Sequence, residues 1–198
     1  MSARTYRQTR RADATERTRE TILAAAEACF RADPQRDPSL EAIAARAGVS
    51  TRTVIRQFGS KEGLMEASIA AGMAATAAAR HAEPGDVEGA VGKLVDHYED
   101  NGDEVIGWLA SAERLPVVRQ VTERGTEMHL EWVEAVFAPD LEGLARGERR
   151  ARRAALATAT DVYVWHLLRR REGLGRDATQ AAILALVEAA RGAGTDAR

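Results

Sequence analysis

The sequence is poorest in cysteine, aromatic residues and long apolar runs, and each shortage removes a class of protein. One cysteine among 198 residues, Cys29, rules out an intramolecular disulfide and a cysteine-rich metal centre, and fits a reducing cytoplasm. Aromatic residues make up 5% of the chain against 45% apolar residues overall, with alanine filling much of the difference. That balance favours closely packed helices over sheets built from β-branched and aromatic side chains. No uncharged apolar run approaches the ~18 residues of a membrane span. The start, "MSARTYRQTRRADATERTRE", also lacks the apolar stretch of a secretory signal. A cytoplasmic protein without membrane contact is the expectation.

Catalytic and cofactor patterns are missing as well. There is no P-loop and no HExxH, and none of the four histidines has a glutamate three residues before it, as a ferritin-like di-iron bundle requires. "GLGRDA", Gly173 to Ala178, satisfies G-x-G-x-x-A but follows "LLRRRE" instead of an apolar strand, so its context fails the dinucleotide reading. His129 with Glu131, and His97 with Asp96 and Asp100, are the remaining acid/base neighbours, and surface or core histidines on helices are the better account of them. No cofactor, metal or catalytic residue is expected.

What is present is a charge asymmetry. Met1 to Lys61 holds 12 Lys/Arg against 7 Asp/Glu, and the remainder holds 16 against 23. A basic head on an acidic body suits a polyanionic partner for the head.

Helical periodicity runs from about Thr15 to Ala32, with Ile22, Leu23, Ala26, Cys29 and Phe30 on one face. "DPQRDP" interrupts it, because Pro34 and Pro38 each disfavour helix in the residue before. Ser39 then caps a short helix with Leu40, Ile43, Ala44 and Ala47 inward, and Gly48 ends it. Ser50 caps a helix from Thr51 to Gln57 anchored by Val54 and Phe58, and Ser60 caps another from Lys61 to about Arg80. "AGVSTRTVIRQFGSKEGL" is therefore a helix end, a tight turn, a short helix, a second turn and a new start: a helix-turn-helix.

A helix that enters the major groove needs one face for anchorage and polar groups on the other. Thr51, Arg52, Thr53, Arg56 and Gln57 supply them: arginine can bind guanine bidentately, glutamine adenine, and threonine a thymine methyl or a phosphate. Ser50 joins them as the cap, while Ser60 and Lys61, at a helix N-terminus, form a phosphate clamp. The plain alternative is a solvated helix face, or a surface for a protein partner. Upstream, Arg4, Arg7, Arg10 and Arg11 form a basic arm that either lies on DNA or stays in solvent.

"RTRETILAAAEACF" and "SLEAIAARAGVSTRTVIRQFGSKEGL", with their spacing, resemble the DNA-binding domain of the tetracycline-repressor (TetR) family of bacterial transcriptional regulators over about Arg17 to Leu64. The resemblance places the recognition helix on Ser50 to Gln57, the family's threonine on Thr53 and its backbone-contacting lysine on Lys61. Arg52 stands where members often carry glycine or proline, Ile55 where a phosphate-touching tyrosine is common, and Pro34 where glycine usually follows the first helix.

Further on, the periodic stretches are about Val87 to Asn101, Asp103 to Leu115, Val117 to Phe137, Gly147 to Arg171 and Ala178 to Arg191, with a capping box at Asp177 to Gln180. "ARGERRARR" reads as the solvated first turn of a long helix, with a nucleic-acid patch as the alternative. "ALATATDVYVWHLL" is apolar nearly all round, so it needs burial on two sides, and a homodimer through this helix and "AAILALVEAA" supplies the second.

The expected fold is all-α: a three-helix helix-turn-helix domain over 1–64, then a helical bundle over 65–198 for dimerisation and effector binding. The resemblance implies a homodimer on a pseudo-palindromic operator in double-stranded DNA, half-sites roughly 34 Å apart. It also implies release by an unknown small-molecule effector in a pocket drawn from Trp108, Met128, His129, Trp132, Tyr163 and His166, with Trp165 and Met73 as further large side chains nearby. Taken singly, each of these is better read as plain core; only as a set, through the resemblance, do they imply a pocket.

Overall fold

A computed structural model describes residues 3–33 and 36–192, with side chains described from residue 13 onward. Among the described residues there are ten α-helices, one π-helical segment and no strand. No described helix is long and apolar enough to cross a membrane. The chain divides into two compact units, Met1–Gly72 and Met73–Arg198.

The first unit contains α1 (Ala3–Ala32), α2 (Leu40–Ala47), α3 (Thr51–Phe58) and the start of α4 (Lys61–Ala79). Ser39 Oγ accepts from Ala42 N at 3.2 Å, Ser50 Oγ from Thr53 N at 3.2 Å and Ser60 Oγ from Gly63 N at 3.1 Å. All three expected serine caps therefore satisfy a donor that a helix start leaves orphaned. Gly48 takes φ 67°, and with Val49 N bonded to Ala44 O at 3.0 Å the end of α2 is a left-handed turn that favours glycine. Ile22, Ala25, Ala26, Ile43, Ala44, Val54 and Leu64 form the core, with Cys29 packed against it. Helix α1 begins at Ala3, well before Thr15, because the polar leader contains no proline or glycine to stop it. The side chains of the basic arm and all of Pro34 lie outside the described residues.

The second unit contains α5 (Val87–Ser111), α6 (Pro116–Val136), α7 (Ala138–Leu141), α8 (Arg146–Ala159), α9 (Val162–His166), a π-helical segment (Leu167–Arg171) and α10 (Arg176–Gly192). Helix α5 packs against α6, α9 and α10, and α8 against α6 and α10. The core includes Leu94, Val95, Tyr98, Val133, Phe137, Leu156, Trp165, Ile183 and Val187.

Three boundaries differ from the sequence expectation. Helix α5 runs unbroken through Asn101 and Gly102, where two helices were expected. Gly102 makes room for the Trp165 ring: a Cβ there would lie 2.3 Å from Trp165 Cζ3. The expected helix from Gly147 to Arg171 breaks at Thr160 and Asp161. There Tyr98 Oη donates to Thr160 O at 3.1 Å, taking a carbonyl that a continuous helix would use, and Asp161 Oδ1 caps Tyr163 N at 2.8 Å. The capping box does not form. Helix α10 starts at Arg176, whose guanidinium engages Asp177 at 3.1 Å and Gln180 Oε1 at 2.7 Å.

The π-helical turn brings Arg169 and Arg170 onto α5. Arg169 grips Glu99 with two bonds of 2.7 Å, Trp165 Nε1 donates to the same carboxylate at 2.8 Å, and Arg170 engages Asp103 at 2.9 Å. The Arg169 hydrogen bonds hold the Glu99 carboxyl below its ordinary range. Three arginines of the run at the start of α8 are likewise paired: Arg149 and Arg153 with Glu134, and Arg152 with Glu148.

Candidate nucleic-acid interface

On α3, Val54 is fully buried and Phe58 half-buried, while Arg52, Ile55 and Arg56 are exposed. Positions three and four apart share one helix face, so Arg52, Ile55 and Arg56 form a single outward stripe opposite the anchors. Neither arginine is held by an ion pair among the described residues. Thr51 and Thr53 are half-buried beside this stripe, and the Ser50 and Thr53 hydroxyls lie 3.0 Å apart. The helix is pinned from the other side by Arg19, whose guanidinium sits 4.5 Å from the Phe58 ring centroid.

Two of the expected contacts are otherwise engaged. Gln57 Nε2 points to Thr15 O at 3.4 Å, a long bond that turns this half-buried side chain toward α1. Lys61 Nζ is bound to Asp37 Oδ2 at 2.6 Å. The α4 start also carries Glu62, whose carboxyl its own backbone N–H and the Ser60 hydroxyl hold below the usual value. The sequence reading passed over Asp37 and named Ile55 only as a departure from the family pattern, not as part of the outward face. An acid in a proline-rich loop carries no local signal for pairing 24 residues on, whereas Ile55 lies one residue from the anchor Val54 and could have been placed outward by helical period alone.

In the second unit the candidate effector residues fall in different surroundings. His129 and Trp132, on α6, stack with centroids 5.7 Å apart and an interplanar angle of 17°. Both meet Arg80, just past α4: its Nη2 lies 3.0 Å from His129 Nδ1, its carbonyl accepts from Trp132 Nε1 at 3.0 Å, and its guanidinium sits 4.8 Å from the Trp132 ring. His129 Nε2 lies 3.2 Å from Thr160 Oγ1, whose own hydrogen goes to Leu156 O at 2.8 Å. These contacts specify a neutral imidazole with its proton on Nε2. Burial, then the Arg80 charge, lowers the His129 pKa to about 4.

His166 adjoins the buried Trp165 on α9, Tyr163 is 52% exposed, and Trp108 and Met128 are half-buried on α5 and α6. An open groove of about 400 Å³ is lined by Gly85, Asp86, Val87, Leu184, Glu188 and Arg191 among others, and by none of the six candidates. Among the described residues no cluster of His, Cys, Asp and Glu could hold a metal ion.

The first unit is thus a helix-turn-helix DNA-binding domain, followed by a helical bundle. Residues 22–68 match the family model of bacterial regulatory proteins, tetR family. That match identifies a DNA-binding domain of the tetR type within the first unit. The fold is shared with a transcriptional regulator from Rhodococcus sp. Rha1, at 18% identity and a TM-score of 0.59, over 86% of this chain and 94% of that one. It is also shared with a protein from Mesorhizobium loti MAFF303099 named for the TetR family, at 18% identity and a TM-score of 0.54, over 89% and 96%. Comparison with curated proteins gives no match.

Proposed function

We propose that this DNA-binding regulator is a ligand-responsive repressor that binds a pseudo-palindromic operator as a homodimer and leaves it when a small molecule occupies the second unit. The observation that carries the reading is the outward stripe of α3. Two arginines without an ion-pair partner among the described residues suit guanine edges and phosphates, and Ile55 between them offers the apolar surface that a thymine methyl accepts. Ser50, Thr51 and Thr53 flank the stripe, Ser60 and Lys61 serve the backbone once Lys61 leaves Asp37, and Gln57 orients α3 against α1.

The homodimer rests on a second observation. The large exposed apolar side chains described in the second unit are Tyr163, Leu167 and Leu186, on α9, the π-helical turn and α10. These are the segments whose apolar sequence called for a partner, and a two-fold interface would cover them. Such a dimer presents two copies of α3 to successive turns of one groove face. In this reading the first unit reads DNA, and the second dimerises and binds the effector.

Selection from a random-duplex library tests the reading. Enrichment of a pseudo-palindrome with half-sites about one helical turn apart is expected. Failure to enrich any sequence, with binding that ignores salt, would leave α3 as a protein-binding surface, since phosphate contacts release counterions and protein contacts mostly do not.

A further inference from the structure

Arg80 is 3% exposed and has no carboxylate partner among the described residues. Its Nε is buried without a hydrogen-bond partner, and its surroundings are the Trp132 face at 4.8 Å, the Tyr98 ring at 6.0 Å and the neutral His129. A guanidinium keeps its charge at any physiological pH, so burial without an anion is costly, and ring faces offset only part of that cost. Two less buried arginines of this unit do have carboxylate partners: Arg169, half-buried, grips Glu99 with two charge-assisted bonds, and Arg152 pairs with Glu148. Tyr98 cannot compensate Arg80 as a phenolate, because burial drives its pKa well above the ordinary value and its hydroxyl donates to Thr160 O. His129 already gives Nδ1 as an acceptor and has no charge to offer.

We infer that Arg80, framed by Trp132, Tyr98 and His129, is the recognition point for the carboxylate of a small aromatic acid, which acts as the effector. A planar carboxylate matches the guanidinium fork, and the surrounding rings suit an aryl group attached to it. His129, on α6, is the half-buried member of the cluster. Arg80 directly follows α4, whose first turns supply Leu64 to the core of the reading head, so a ligand on Arg80 bears on the helix that both units share. The inference rests on the effector-binding reading of the second unit, and its test separates the two.

The probe is benzoate, with benzamide as its neutral counterpart of the same shape, titrated against the full-length protein by calorimetry up to millimolar concentration. Benzoate is expected to bind at least about tenfold more tightly than benzamide, the difference that charge-assisted hydrogen bonding supplies. Arg80→Met should abolish that preference, and Arg80→Lys should retain part of it. Without ligand, Arg80→Met should melt at or above the wild-type temperature, as expected when an uncompensated buried charge is replaced by an apolar chain.

No benzoate binding, equal binding of the two probes, or a preference that survives in Arg80→Met overturns the inference. The wild-type comparison of the two probes decides this even if a variant fails to fold. Benzoate binding that leaves operator affinity unchanged supports the anion site and overturns its role as effector. Operator release by another ligand, undiminished in Arg80→Met, overturns the inference and keeps the effector reading.

Discussion

Lys61 illustrates how one side chain can be placed by sequence and still have its engagement decided elsewhere. Its position at the start of α4 was legible from Ser60 and the turn before it, but its 2.6 Å bond to Asp37 depends on a loop that carries no periodic signal. The pair is partly exposed, so it stabilises the free protein little and mainly competes with phosphate. Asp37→Asn should therefore strengthen binding to duplexes of any sequence by about 0.5–1 kcal/mol at low salt, with unchanged sequence preference, measured by fluorescence anisotropy. Weaker binding would show that Asp37 positions the lysine for DNA.

His129 makes a different residue-scale prediction. Its pKa is about 4 in the folded protein against an ordinary value of 6.5, so the unfolded chain binds the proton more readily. The stabilising effect of the neutral, buried imidazole is complete above pH 6.5 and declines as pH falls from 6.5 toward 4. Urea titrations across that range should show stability falling with acidification, and His129→Gln should flatten that decline. An equally steep decline in the variant would assign it to carboxylates.

Among the elements, the first unit from Ser39 onward was legible nearly to the residue, while the start of α1 was not. Serines, glycines and apolar spacing act locally there, and Ser39, Gly48, Ser50 and Ser60 each do what their position dictates. The second unit was less legible because its helix ends are set by tertiary contacts. Asn101 and Gly102 look like a break, yet the glycine exists to admit Trp165 from another helix. Thr160 looks like helix interior, yet Tyr98 claims its carbonyl from 62 residues away. Gly102→Ala tests the first point. Helix propensity favours alanine by about 1 kcal/mol, but overpacking against the indole costs about 1–3 kcal/mol or more. Net destabilisation in urea is expected, and a gain in stability would mean that Trp165 moves aside freely.

For the whole molecule, the apolar pattern foretold an all-helical chain, and the excess of basic residues falls in the part of the chain that carries the helix-turn-helix. The candidate site was legible wherever helical period alone decides a face, as at Arg52 and Arg56. It was not legible at Arg80, whose neighbours His129 and Trp132 lie about fifty residues on. Leu186 is 46% exposed on α10, so Leu186→Glu should leave the fold intact while placing like charges across a two-fold interface. Sedimentation should show a monomer for the variant and a dimer for the wild type. A dimer that persists would move the interface away from α10.

The central claim is that α3 reads base sequence through its outward arginines. The most direct measurement is the affinity of wild type and Arg56→Ala for the selected operator and for a scrambled duplex at matched salt. A bidentate base contact predicts that the variant loses about 1–3 kcal/mol on the operator and much less on the scrambled duplex, so that specificity collapses. Equal losses on both would make Arg56 a phosphate contact and contradict the reading role assigned to α3.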